Sequence, residues 1–174
     1  MFSWLKKKAG PPDAAAVIKR VAILNNVMAK GLATPPPVYL AEWKAKWNND
    51  EWNKFVGEFQ SQFAPRVQRL RDNGLWEDMS RSERDFMEMG PTVVENQALI
   101  DAIWLAESAM CLLWALGYIS EILPYDCQAE PEITNKLPAE SVQDLVKKAA
   151  LRAADAIQKQ RDLAELWYPE YSQS

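Results

Sequence analysis

Apolar side chains recur every three or four residues along nearly the whole chain, and strand-type alternation is missing, so the pattern predicts helices throughout. The first helix is expected to start behind Pro11 and Pro12 with Asp13 as its N-cap, and Val17, Val21, Leu24 and Met28 form its buried stripe. Gly31 and the run Pro35, Pro36, Pro37 stop it. Arg20 falls on that same stripe. Its guanidinium is therefore expected either to reach the edge of the core or to meet a buried acid.

A second stretch places Tyr39, Trp43 and Trp47 at successive spacings of four, and Asn48, Asn49 and Asp50 interrupt it. Trp52, Phe55, Phe59 and Phe63 continue the aromatic ridge, with Pro65 kinking or restarting a helix that ends near Gly74. Stripes of this kind usually pack into a core, although the same side chains would make strong interface anchors if left outside. Ser80 and Glu83 have the spacing of a capping box and mark a short helix before Phe86 and Met89, which Gly90 and Pro91 break. A last amphipathic helix is expected from about Pro138 to Trp167, on Val142, Leu145, Val146, Ala149, Ala153, Ile157, Ala164 and Trp167.

Between these lies the most apolar segment of the chain, expected as a helix over about 92–123 and ended by Pro124. It is apolar on nearly every face, which reads as the central buried helix of the fold, and it carries Glu107 one turn after Ile103 and Trp104. An ionised carboxylate buried alone would cost several kcal/mol, so a basic partner is expected, Arg20 first, then Arg152 and Arg84. The run from Ser108 to Ile119 is too short to span a bilayer and has Asp101, Glu107 and Glu121 around it, so no membrane helix is expected. The fold class is thus all-α: a single compact domain over 13–168, with five or six helices around that central one. A flexible segment over 1–12 and a tail over 169–174 flank it.

Composition narrows the chemistry. The 174 residues contain no His, 2 Cys, and 8 Trp, so the commonest general base and zinc ligand is absent while large apolar rings are abundant. Cys111 and Cys127 cannot build a zinc site alone and imply no disulfide framework, which favours a reducing, cytoplasmic setting. The start, Met1 to Lys8, has its basic residues after a very short apolar cluster, the reverse of a secretory signal. Net charge is −4, but residues 1–75 carry 12 Lys and Arg against 6 Asp and Glu, and residues 76–174 carry 8 against 18. Halves of +6 and −10 attract each other within one molecule or between molecules, and the acidic half disfavours nucleic acid.

The central segment also resembles the bacterial family catalogued as domain of unknown function 4272. The likeness rests on Trp104, Glu107 and the run Leu113, Trp114, Ala115, Leu116, Gly117. Lys19, Arg20 and Ala22 to Leu24 look like the family's first helix, Leu75 and Trp76 before Ser80 and Glu83 like its short Ser-x-x-Glu helix, and Leu151, Arg152, Arg161 to Leu163, Leu166 and Trp167 like its last helix. The chain departs from the pattern at Ser108, where an alanine is usual, and in ending soon after Trp167. The resemblance implies a mostly helical cytoplasmic bacterial protein and supplies no activity.

No nucleophile elbow, phosphate-cradling glycine loop or Glu-x-x-His pair is present, so neither cofactor nor metal is expected. The reading that follows is a non-enzymatic binding or scaffolding domain acting through a protein partner or self-association, with Trp43, Trp47, Trp52 and Trp76 as anchors. The alternative is a small-molecule-binding protein or enzyme with an acidic cleft centred on Glu107, with Asp101 or Glu83 as second carboxylate.

Overall fold

Asp13 accepts a hydrogen bond from the Ala15 amide and opens the first helix, α1 (Ala14–Ala33), of the computed structural model, which describes residues 13–124 and 127–167. The segments 1–12 and 169–174, expected to be a flexible lead and a tail, lie outside the described residues, as do the side chains of Ala164 and Trp167. Six further helices follow: α2 (Pro37–Lys46), α3 (Asn49–Asp72), α4 (Arg81–Glu88), α5 (Asn96–Ala115), α6 (Val142–Lys148) and α7 (Ala154–Trp167). Short 3-10 turns occupy Pro91–Val93 and Pro131–Lys136, and no strand occurs among the described residues. The architecture is all-α, as the periodicity predicts.

Local chemistry explains most of the boundaries. Asn48 and Glu51 form a capping box at the start of α3, and Ser80 and Glu83 form the expected one at the start of α4. Helix α3 runs through Pro65 without a break in its helical backbone and ends before Gly74, whose φ of 65° only glycine adopts freely.

Helix α1 runs through Gly31, expected as part of its stop, and ends at Ala33 ahead of the proline run. Two further boundaries differ from expectation. The central helix spans Asn96–Ala115 rather than 92–123, because Gly117 takes φ 78° while its amide bonds to the Trp114 carbonyl and the Tyr118 amide to that of Leu113. That is a Schellman ending, and it stops the helix nine residues ahead of Pro124. The Ala-rich stretch over 149–153 breaks the expected last helix into α6 and α7. There the Arg152 amide donates to the Ala115 carbonyl, so docking on the end of α5 overrides a strong local helix preference.

The core is built along α1 and α5. Helix α5 is the central element expected from sequence, packing on α1 and on the 131–136 turn, and α1 also touches α3, α4 and α6. Side chains of α1 enter all three parts of the core: Ile23 and Val27 with Leu70, Leu75 and Phe86; Val17, Ile18 and Val21 with Leu113 and Leu145; Leu24 and Met28 with Ala106, Ala109 and Met110. The two helices approach closely because small residues face each other. A Cβ on Gly31 would lie 2.8 Å from that of Ala102.

Candidate functional site

Helix α1 holds both ends of α4 with buried or half-buried cations. At the N-terminal end, Arg20 Nη1 donates to Glu83 Oε2 at 3.0 Å and Nη2 to Oε1 at 2.7 Å, a bidentate fork. Glu83 Oε2 also accepts the Ser80 amide at 2.8 Å, so one carboxylate completes the capping box and the ion pair together. Burial alone would raise its pKa. The hydrogen bonds from Arg20 and the Ser80 amide, with the Arg20 charge, outweigh that and hold it below the usual carboxylate value.

At the C-terminal end, Lys30 Nζ donates to the carbonyls of Met87 at 2.8 Å and Met89 at 2.6 Å, where a helix concentrates partial negative charge. Lys30 is 1% exposed and its Nζ lies 5.8 Å from the Phe63 ring centre and 5.6 Å from that of Phe86. Burial, only partly countered by the charge of Glu88, lowers its pKa to about 8. Sequence reasoning missed this residue. The available signal was its register: Lys30 follows Val27 by three, and so lies on the core-facing side as Arg20 does.

Lys30 forms part of the wall of a groove of about 380 Å³ between α3 and α4, shared with Phe59, Phe63, Val67, Arg71 and Glu88. A second groove of about 230 Å³ brings Glu83 and Asp101 together with Ser80 and Ser82. Glu107 lines neither.

The expected pairing of Glu107 with Arg20 is overturned, since Arg20 is taken by Glu83. Arg84 faces Glu77 at 3.6 Å, and Arg152 turns its guanidinium onto carbonyls, Nε to Trp114 at 2.6 Å and Nη2 to Ile119 at 2.7 Å, while stacking 5.0 Å from the Trp114 ring. Glu107 is half-buried, with no ion pair or hydrogen bond among the described residues. Helical phase explains the miss. The deeply buried positions of α5, Leu99, Ala102, Ala106, Ala109, Met110 and Leu113, share one side, and at about 100° per residue Glu107 falls on its flank and Trp104 nearly opposite. Trp104 is 49% exposed. By length and composition α5 could cross a membrane, and about a third of it is buried inside the protein.

The expected aromatic anchors divide in two. Trp76 is half-buried against the core beneath the Arg71 guanidinium, 4.6 Å from its ring centre. Trp43, Trp47 and Trp52 gather around Phe55 where α2 turns into α3: Trp43 and Trp47 stack at 5.2 Å, and Phe55 lies 5.7, 5.9 and 5.8 Å from Trp43, Trp47 and Trp52. All four rings are half-buried, and the only deeply buried side chain of α2 is Leu40. Val38 and Tyr39 beside them are 60% and 52% exposed. The ridge continues along α3 through Phe59, 6.4 Å from Phe55, to Phe63, 4.8 Å further.

Comparison with known proteins adds one match. The family model described as Domain of unknown function (DUF4272) matches residues 6–168. No curated protein and no solved structure matches the chain.

Proposed function

The chain belongs to the family described as Domain of unknown function (DUF4272), and from that starting point we propose that it is a non-enzymatic binding domain that recognises a protein partner through the aromatic corner between α2 and α3. The observation that carries this reading is the cluster of Trp43, Trp47, Trp52 and Phe55, in which Trp43 stacks on Trp47 while Trp52 and Phe55 pack edge-on or tilted, all four staying half-exposed instead of entering the core. Aromatic side chains in such positions concentrate binding energy, because truncating one at an interface centre costs about 2 kcal/mol or more. At this corner Lys44 sits 5.8 Å from the centre of the Trp52 ring, and the Asn48–Glu51 capping box satisfies backbone amides where α3 begins. In this reading the protein works in the bacterial cytoplasm, without cofactor, nucleic acid or membrane.

The test is affinity capture from a lysate of the source organism with wild type, Trp47→Ala and Trp104→Ala, alongside thermal unfolding of each. The expected result is a captured protein lost with Trp47→Ala at an unchanged melting temperature and kept with Trp104→Ala. Loss with Trp104→Ala alone would transfer the interface to the outer flank of α5 and overturn the corner. So would an identical captured set for all three proteins.

A further inference from the structure

We propose that the groove between α3 and α4 is a binding site for a small monocarboxylate with an apolar body, the carboxylate seated on the Lys30 ammonium and the body lying against Phe59, Phe63 and Val67. The inference goes beyond the proposed interface and uses none of its tryptophans.

Three observations lead to it. The first is the lysine itself. An ammonium has three N–H donors, and Lys30 gives two of them to the Met87 and Met89 carbonyls, with no third acceptor among the described residues. No carboxylate pairs with it directly, because Glu88 is hydrogen-bonded to Arg71 instead. A cap for the end of α4 needs no adjoining cavity, and this lysine, although 1% exposed, forms part of the wall of one.

The second is charge. Among the side chains lining the groove, Lys30 and Arg71 carry positive charge and Glu88 carries negative, leaving one positive charge uncompensated. A single carboxylate neutralises it. A dianion such as a phosphate monoester would overshoot, and a cation would meet the lysine at short range in a partly desolvated place. The amides of Gln60 and Gln68 in the same wall offer neutral hydrogen bonds at no cost in charge.

The third is shape. About 380 Å³ lies within the range of small-molecule sites, where apolar walls bury most of the ligand and a few polar groups orient it. Phe59 and Phe63 are 6% and 4% exposed, their rings 4.8 Å apart, and they form an apolar wall beside the lysine. Burial has already lowered the Lys30 pKa, and an incoming carboxylate opposes that lowering by supplying a counter-charge to the ammonium.

The experiment titrates 3-phenylpropionate, and separately its neutral amide, into protein carrying ¹³C-methyl methionine. Met87 and Met89 line the groove, while Met28 and Met110 lie in the core and report on folding. The expected result is a saturable shift of the Met87 and Met89 methyls by the acid, with the amide at least about tenfold weaker. Lys30→Met should abolish the shift with Met28 and Met110 unmoved. Arg71→Gln, which removes a rim charge and leaves Glu88 unopposed, should weaken the acid several-fold. Three outcomes overturn the proposal: no shift up to about 10 mM acid, equal binding of acid and amide, or wild-type binding by a folded Lys30→Met. If Lys30→Met does not fold, Arg71→Gln decides alone, and unchanged affinity there overturns it equally.

Discussion

Arg20 and Glu83 are 63 residues apart in sequence and share two parallel hydrogen bonds, of 3.0 and 2.7 Å, that tie the first turns of α1 to the start of α4. The Glu83 side chain is 11% exposed and that of Arg20 37%. The pair therefore lies at the edge of the core, where geometry counts for more than at the surface and desolvation for less than in the deep interior.

Removing one partner strands the other. Glu83→Gln should destabilise the protein by about 1–3 kcal/mol at neutral pH, since it also weakens the bond to the Ser80 amide. The folded-state pKa of Glu83 is depressed below 4.5, so its contribution is present above the unfolded value and fades as pH falls through the folded one. Urea unfolding of both proteins should show the difference narrowing below about pH 4.5. A gap that stays constant into acid would mean that the carboxylate charge does not matter.

Arg152 closes the far end of the central helix. Its guanidinium reaches the Trp114 and Ile119 carbonyls together and covers the Trp114 ring. A lysine is a single point donor and cannot reproduce that fork. Arg152→Lys should cost about 1–2 kcal/mol in chemical denaturation, and Arg152→Ala somewhat more. Equal stability of Arg152→Lys and wild type would show that the fork contributes nothing.

The α1–α5 contact leaves no room for a methyl group at Gly31, where an added Cβ would stand 2.8 Å from that of Ala102. Gly31→Ala should therefore destabilise by about 1–3 kcal/mol, although alanine is the better helix former. The double variant with Ala102→Gly should recover part of the loss, because it removes the clashing atom at some cost in helix propensity. Additive losses in that double-mutant cycle would place the strain elsewhere.

Lys30 makes an alkaline prediction. Its folded pKa of about 8 lies below the ordinary lysine value of 10.5, so between those values the unfolded chain holds a proton that the folded chain lacks. Stability should accordingly rise with pH across that window. The charged groups beside it are Glu88 on α4 and Arg71 on α3. Comparing urea midpoints of wild type and Lys30→Met from pH 7.5 to 10.5 (about three units, spanning the titration) subtracts every other alkaline titration. Wild type should gain on the variant as pH increases, and parallel curves would contradict the buried, uncompensated ammonium.

Much of the fold is legible residue by residue because its signals are local. The Asp13 cap, the Ser80–Glu83 capping box, the stop at Gly74, and the stripes of α1 and α3 each depend on neighbours within one or two turns, whereas Gly31, expected as a stop, lies inside α1. The break of the last helix at Arg152 is not of that kind. Nothing in the Ala-rich sequence disfavours helix, and only the carbonyls at the end of α5 draw the chain away from it. The candidate site divides the same way. Arg20 was visible as a charge on a core-facing stripe and Glu83 as the acid of a capping box, yet their match with each other was not, since it depends on how α1 lies along α4.

Sequence by itself determined the helical class, most element boundaries and the presence of charged groups on core-facing stripes, because periodicity and capping are properties of one segment at a time. Tertiary packing decided which acid meets which base, that Trp104 and Glu107 lie away from the deepest core, that the tryptophans of α2 and α3 cluster in a half-exposed corner, and that Lys30 lines a groove. The physical reason is rotational. An apolar helix such as α5 offers several equivalent faces to a core, and only the close approach of small residues, Gly31 against Ala102, selects the one that is buried.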